Sequence, residues 1–299
     1  MRVLLTGASG FIGTALRDAL TGRGDEVVAL RRSQSASSGD APTWDAERGE
    51  VDGDLEGFDA VVNLAGEPIG EHRWTDEEKA KIRDSRVRGT EALATALAKA
   101  TAKPKVLVSG SAVGYYGVRG REFLLDEQSE PGDDFLAHVC RDWEAATAPA
   151  ADAGIRVATI RTGIVLSPSG GVLKRLALPF KLGLGGKTGS GRQYMSWISL
   201  ADEVRAILHI IDHDDLAGAV NLTAPHPVTN EVLTQLLAKA VHRPAFIPTP
   251  TFALKAIYGD ELVDALLLGG QRVFPKRLEA IGFDFEHPTL EAALHALLH

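Results

Sequence analysis

Three glycines pose the first chemical question in this chain. Gly7, Gly10 and Gly13 stand at Gly-x-x-Gly-x-x-Gly spacing directly after the apolar run Val3-Leu4-Leu5, and Phe11, Ile12, Leu16 and Leu20 then recur at helical spacing. A strand that breaks into such a turn and reopens as a helix is suited to phosphate. The first glycine permits the turn, the second lets backbone approach a pyrophosphate, and the third lets the helix pack close to the sheet. Unpaired N–H groups and the positive dipole end at the start of the helix favour the anion. The next apolar run, Glu26-Val27-Val28-Ala29-Leu30, completes a βαβ unit and ends on Arg31 and Arg32. A carboxylate there would receive a free ribose 2′-hydroxyl, whereas two guanidinium groups can clamp a 2′-phosphate, so the expected cofactor is NADP(H).

Other reactive side chains are sparser. His209 and His213 have the i, i+4 spacing of a metal pair, but nothing supplies further ligands, and a helix-end pair beside Asp212, Asp214 and Asp215 is the expectation, with no metal. Lys174, Arg175, Lys181, Lys187 and Arg192 gather in one region. They fit either an anionic small-molecule substrate or a solvated basic face.

The elements that must position these residues alternate. After the first two strands, Ala60-Val61-Val62-Asn63-Leu64, Val106-Leu107-Val108-Ser109 and Arg156-Val157-Ala158-Thr159-Ile160 read as further strands. Between them, Thr75 with Glu78 forms a capping-box pattern opening a helix through the 80s and 90s, and 142–153 reads as the end of another. The expected fold is α/β, a Rossmann-type doubly wound parallel sheet with a smaller, mainly helical C-terminal substrate subdomain. We place the nucleotide-binding domain at 1–220, with 167–195 contributing to the substrate region, and the C-terminal subdomain at 221–299. Residues 33–40, rich in Ser, Ala and Gly, read as a mobile loop.

Composition narrows the class. The chain has 299 residues, 44% hydrophobic and 24% charged, with a net charge of −8, which argues against general nucleic-acid or acidic-membrane binding. Cys140 is the single cysteine and cannot form an internal disulfide, in keeping with a reducing compartment. No apolar run approaches a membrane span, and the N-terminal run breaks at Thr6-Gly7 before it could serve as a signal sequence. These features lead us to expect a cytoplasmic protein, a monomer or a homodimer.

Thr6-Gly7-Ala8-Ser9-Gly10-Phe11-Ile12-Gly13 together with Asn63-Leu64-Ala65-Gly66 resembles the extended short-chain dehydrogenase/reductase superfamily, of the NAD-dependent epimerase/dehydratase type. Further segments narrow the resemblance: Asp84-Ser85-Arg86-Val87-Arg88-Gly89-Thr90, Arg161-Thr162-Gly163-Ile164-Val165-Leu166-Ser167 and Gly269-Gly270-Gln271-Arg272-Val273-Phe274-Pro275. They are similar to an atypical branch of epimerase family proteins that carries a C-terminal domain of unknown function. The resemblance implies cofactor contacts from Gly7, Gly10, Phe11, Ile12, Gly13, Leu64, Ala65, Gly66 and Ser109. It also implies that Ser111 holds the substrate oxygen while a Tyr-x-x-x-Lys pair on the next helix moves the proton.

That pair occurs nowhere in the chain, and its positions fall on Leu136 and Cys140. Arg86 replaces the helix asparagine of the extended enzymes and is expected to meet cofactor phosphate or ribose. Tyr115 and Tyr116 are the expected replacement acid–base groups, with Arg119 four residues beyond Tyr115 as a cation that could lower its pKa. His138 and Cys140 are weaker candidates on the helix. The leading expectation is an NADP(H)-binding oxidoreductase or epimerase-like protein. A non-catalytic NADP(H) sensor is the alternative, and a nucleotide-sugar epimerase comes third because it needs the lost pair.

Overall fold

The computed structural model describes residues 1–32, 42–45 and 49–299, with the side chain of Arg32 outside the description. The loop expected at 33–40 therefore lies outside the described residues. The opening unit is as expected: β1 (Arg2–Thr6), α1 (Phe11–Gly22) and β2 (Glu26–Arg32). Two short strands follow that composition did not reveal, β3 (Thr43–Asp45) and β4 (Glu50–Asp52), then β5 (Ala60–Asn63), α2 (Asp76–Lys99) and β6 (Val106–Ala112). α3 (Phe135–Ala145) and α4 (Ala148–Asp152) lead into β7 (Arg156–Thr162), β8 (Ile164–Ser167) and α5 (Gly171–Lys181). The rest comprises β9 (Tyr194–Met195), β10 (Trp197–Ser199), α6 (Leu200–Asp212), β11 (Gly218–Leu222), β12 (Val228–Thr229), α7 (Asn230–Ala240), α8 (Thr251–Tyr258), α9 (Asp260–Val263), α10 (Lys276–Ala280) and α11 (Leu290–Leu298).

Among the described residues the main sheet has eight strands in the order β11-β7-β6-β5-β1-β2-β3-β4, parallel throughout except for β4 on β3. Strand periodicity explains why its strands are apolar on both faces. Val3 and Leu5 turn to one side, where they meet Leu16 and Leu20 of α1 and Ile207 of α6, while Leu4 turns to the other, against Leu93 and Leu97 of α2. The boundary expected after residue 220 falls inside β11, whose pairing with β7 carries the sheet on to Leu222. Among the described residues no helix is long and apolar enough to cross a membrane.

Beyond the sheet the chain is mainly helical, as expected. It is fastened to α6 by Asp202: Ser199 donates to its carboxylate at 2.9 Å, and the backbone N–H groups of Glu286 and His287 donate to it at 2.8 and 2.9 Å. This buried clamp fixes the C-terminal segment to α6.

Candidate active site

The turn from β1 to α1 is built as its spacing requires. Gly7 adopts φ +67°, and the Gly10 N–H donates to the Gly7 carbonyl at 2.8 Å. A Cβ on Gly13 would lie 2.1 Å from the Gly7 carbonyl oxygen, so only glycine lets α1 sit this close. Gly10 caps α1 without any side-chain hydrogen bond, leaving the first N–H groups of the helix for an anion. A cradle that excludes a Cβ at Gly7 and Gly13 and presents uncapped N–H groups fits a dinucleotide pyrophosphate.

The turn opens into a cleft of about 520 Å³. Gly7, Gly10, Phe11, Ile12 and Gly13 line it from one side, with Leu64, Gly66 and Arg86 beside them. Ser111, Leu136 and Cys140 also line it, as do Tyr194, Ser196, Leu266 and Gln271. Ala65 and Ser109, expected to touch cofactor, are buried behind this surface. There they belong to a polar scaffold. Thr6 Oγ1 accepts the Leu64 and Ala65 N–H groups at 3.0 and 3.1 Å and donates to Asn63 at 2.7 Å, and Asn63 donates to Thr90 at 2.8 Å. The network holds the turn after β5, which is why the small residues of 63–66 are needed.

The two arginines at the end of β2 are only half visible: Arg31 is exposed, and the Arg32 side chain lies outside the described residues. Arg86 lines the cleft with its guanidinium beneath Gly66 and 5.2 Å from the Trp143 ring centre. Burial lowers its pKa from the ordinary arginine value. Its Nη1 donates to the Ile82 carbonyl at 3.0 Å.

Neither expected tyrosine lines the cleft. Tyr116 is fully buried, donates to Asn221 at 2.6 Å and accepts from Arg161 at 3.1 Å. Burial pushes its hydroxyl up to about 12. Tyr115 has its ring 3.4 Å below the Arg161 guanidinium, and the expected cation, Arg119, instead donates to the carbonyls of Tyr116 and Pro131. His138 is exposed on α3, while Cys140 is buried at the cleft surface. Burial, reinforced by the Glu144 carboxylate, pushes the Cys140 thiol up to about 12.

Two residues that the sequence reading did not single out join Ser111. Ser111 donates to Glu144 Oε1 at 2.7 Å, and Arg161 grips the same carboxylate through Nε at 2.8 Å and Nη2 at 2.9 Å. Burial opposes the charge on Arg161, but hydrogen bonding to Glu144 outweighs it and holds the guanidinium above its ordinary value. A signal was present in the sequence: an arginine ending an apolar parallel strand needs a buried anion. Nearby, Thr162 donates to Glu203 at 2.8 Å, and burial pushes that carboxyl up to about 8.

The basic cluster is dispersed. Lys187 pairs with Glu231 at 3.2 Å and Arg175 with Glu71 at 3.8 Å. Arg192 alone of the five joins a smaller hollow of about 200 Å³ with Arg119, Arg121 and Arg272, bordered by Tyr194 and Gly270, which also line the main cleft. Arg272 Nε is buried without a partner. His209 and His213 stack at 4.1 Å as a helix-end pair, and the described residues hold no group of metal-ligand type.

Comparison with known proteins places this geometry. Residues 3–223 match the NAD dependent epimerase/dehydratase family, and 249–297 match a domain of unknown function, DUF1731. An epimerase family protein of Mycobacterium leprae is 46% identical over 98% of this chain and 94% of its own length. A crystal structure of the human epimerase family protein with NADPH superposes with a TM-score of 0.90 at 38% identity, covering 100% of this chain and 99% of that one. UDP-glucose 4-epimerase of Thermotoga maritima shares the fold, with a TM-score of 0.75 at 20% identity over 100% of this chain and 97% of that one.

Proposed function

The chain belongs to the NAD dependent epimerase/dehydratase family, and from that premise we propose that it is an NADP(H)-binding oxidoreductase acting on a small anionic carbonyl or alcohol. The observation that carries the reading is the place of Ser111, which lines the same cleft as the glycine turn. The α1 N-terminus and Gly7, Gly10 and Gly13 hold the pyrophosphate, Arg31 and Arg32 clamp the 2′-phosphate, and Leu64, Gly66 and Arg86 meet the adenosine half. The human relative crystallised with NADPH supports that choice of cofactor. Bound there, the dinucleotide supplies or takes a hydride.

The protein's own residues do the rest. Ser111 holds the substrate oxygen in the cleft. Arg192 and Arg272, in the adjoining hollow, receive an anionic group of the substrate; Arg272 brings an unspent buried N–H to that task. Apolar walls from Leu136, Val139 and Trp143 keep water from the reacting atoms. A nucleotide-sugar epimerase is less well supported, because Leu136 and Cys140 occupy the cleft where that chemistry needs tyrosine and lysine. The same substitution favours a second reading, an NADP(H) sensor without turnover.

Incubating the protein with NADPH and a panel of aldehydes, ketones and phosphorylated carbonyls separates the two. Oxidation of NADPH that disappears in Ser111→Ala supports the enzyme. Tight NADPH binding with no oxidation across the panel refutes it in favour of the sensor.

A further inference from the structure

We propose that Glu144, reached from the cleft through Ser111, is the terminal proton acceptor of the site, with Arg161 as its positioning residue. The proposal rests on the hydride-transfer reading above. Ser111 and Arg161 are register partners on β6 and β7, so their side chains leave the sheet on the same face, and α3 lays Glu144 against both. Ser111 lines the cleft; Glu144 stands behind it with its side chain 15% exposed. The serine hydroxyl is the connection between them.

The hydrogen bonds lay out the path of transfer. At 2.7 Å the Ser111 hydroxyl donates to Glu144 Oε1, a short charge-assisted bond along which a proton moves readily. Arg161 spends Nε and Nη2 on the carboxylate and Nη1 on the Tyr116 hydroxyl, with the Tyr115 ring packed on its face. These contacts hold the guanidinium in place, and with it the Glu144 carboxylate that Ser111 meets. With its proton committed to Glu144, Ser111 offers lone pairs to the cleft and accepts a hydrogen bond from a substrate hydroxyl.

Oxidation then balances. The substrate O–H proton passes to Ser111 Oγ as the Ser111 proton passes to Glu144 Oε1, the C–H hydride leaves to the oxidised dinucleotide, and a carbonyl remains. Reduction runs the same transfers backward. Tyr116 cannot take this part, because its hydroxyl is spent between Asn221 and Arg161.

The test uses the NADPH-loaded full chain and whichever panel carbonyl the wild type reduces. Glu144→Gln should lower kcat by about 10²-fold or more while leaving NADPH affinity within about twofold, and Glu144→Asp should recover part of the rate. The wild-type solvent deuterium effect should show the curved inventory of two moving protons, lost in the residual rate of Ser111→Ala. Wild-type kcat in Glu144→Gln, or a linear inventory, overturns the relay and leaves the hydride-transfer reading standing. Absence of wild-type turnover across the panel overturns that reading and the relay with it.

Cys140 gives a readout that needs no turnover. It is the only cysteine, it borders Ser111 in the cleft, and the charge of Glu144 adds to burial in suppressing its thiolate. Glu144→Gln should therefore react faster with iodoacetamide than wild type, and an unchanged or slower rate would refute the placement of the Glu144 carboxylate against the cleft. If Glu144→Gln does not fold, kcat of Glu144→Asp decides: a loss of about tenfold or more is expected, and an unchanged rate refutes the relay.

Discussion

Replacing Gly13 by alanine tests the glycine turn at its tightest point. The new Cβ would lie 2.1 Å from the Gly7 carbonyl oxygen, 2.8 Å from the Gly7 carbonyl carbon and 3.1 Å from the Ala8 Cα. All three are backbone atoms, so no side chain can rotate out of the way. Reaching an ordinary van der Waals separation requires the turn and α1 to part by about 1 Å. Overpacking of this kind costs about 1–3 kcal/mol, and moving the backbone N–H groups off the phosphate position removes the charge-assisted bonds on which NADPH depends. Loss of two such bonds predicts an affinity lower by about 10²-fold or more. The assay is NADPH fluorescence titration beside urea unfolding, with Gly22→Ala as the control, since a Cβ there meets nothing within 4 Å. Gly22→Ala should bind as wild type and be no less stable. If Gly13→Ala binds NADPH within about threefold of wild type, the turn does not carry the pyrophosphate.

Glu203 makes stability pH-dependent. Its folded-state pKa, raised to about 8 from 4.5 by burial, means that the native state holds a proton that the unfolded chain has released between those values. That part of the stability is present below pH 4.5 and falls by about 1.4 kcal/mol per pH unit as pH rises toward 8. Glu203→Gln should therefore gain on wild type in urea unfolding from pH 5 to pH 8; parallel curves would exclude a neutral buried carboxyl. Tyr116→Phe removes the bonds to Asn221 and Arg161 and should cost about 1–3 kcal/mol in unfolding free energy with NADPH affinity unchanged. A large loss of NADPH affinity would mean that Tyr116 is more than scaffold. Arg272→Ala with Arg192→Ala should raise KM for a phosphorylated panel carbonyl by about tenfold or more, and an equal KM would remove the anion hollow from the substrate site.

The parts of this molecule legible in its sequence were those written in local periodicity. β1, β2, β5, β6 and β7 follow from runs of apolar residues, and the first turn follows from glycine spacing, because neighbours along the chain decide both. β3 and β4 escaped because three residues carry no period, and their stability comes from register with β2 and from Trp44, whose ring lies against Gly89 of α2. β11 went unread as a strand because its membership of the sheet depends on pairing with β7, across some 60 residues of sequence.

The candidate site divides along the same line. Gly7, Gly10, Gly13, Leu64, Gly66 and Ser111, singled out by motif, line the cleft, whereas Ala65 and Ser109 are buried behind it, a difference that packing and not motif decides. The two tyrosines lie outside the cleft lining for an energetic reason. Proximity in sequence to Ser111 suggested Tyr115 and Tyr116, yet Arg161 reaches both rings from β7 and binds the Tyr116 hydroxyl. A guanidinium 4% exposed at the end of a parallel strand must be neutralised, and the carboxylate that neutralises it is the one Ser111 touches. The desolvation cost of Arg161 thus determines where Glu144 sits, and the position of Glu144 determines which way the serine hydroxyl points. A site without tyrosine and lysine can still order a proton path, provided that a buried cation from the neighbouring strand fixes the carboxylate that receives it.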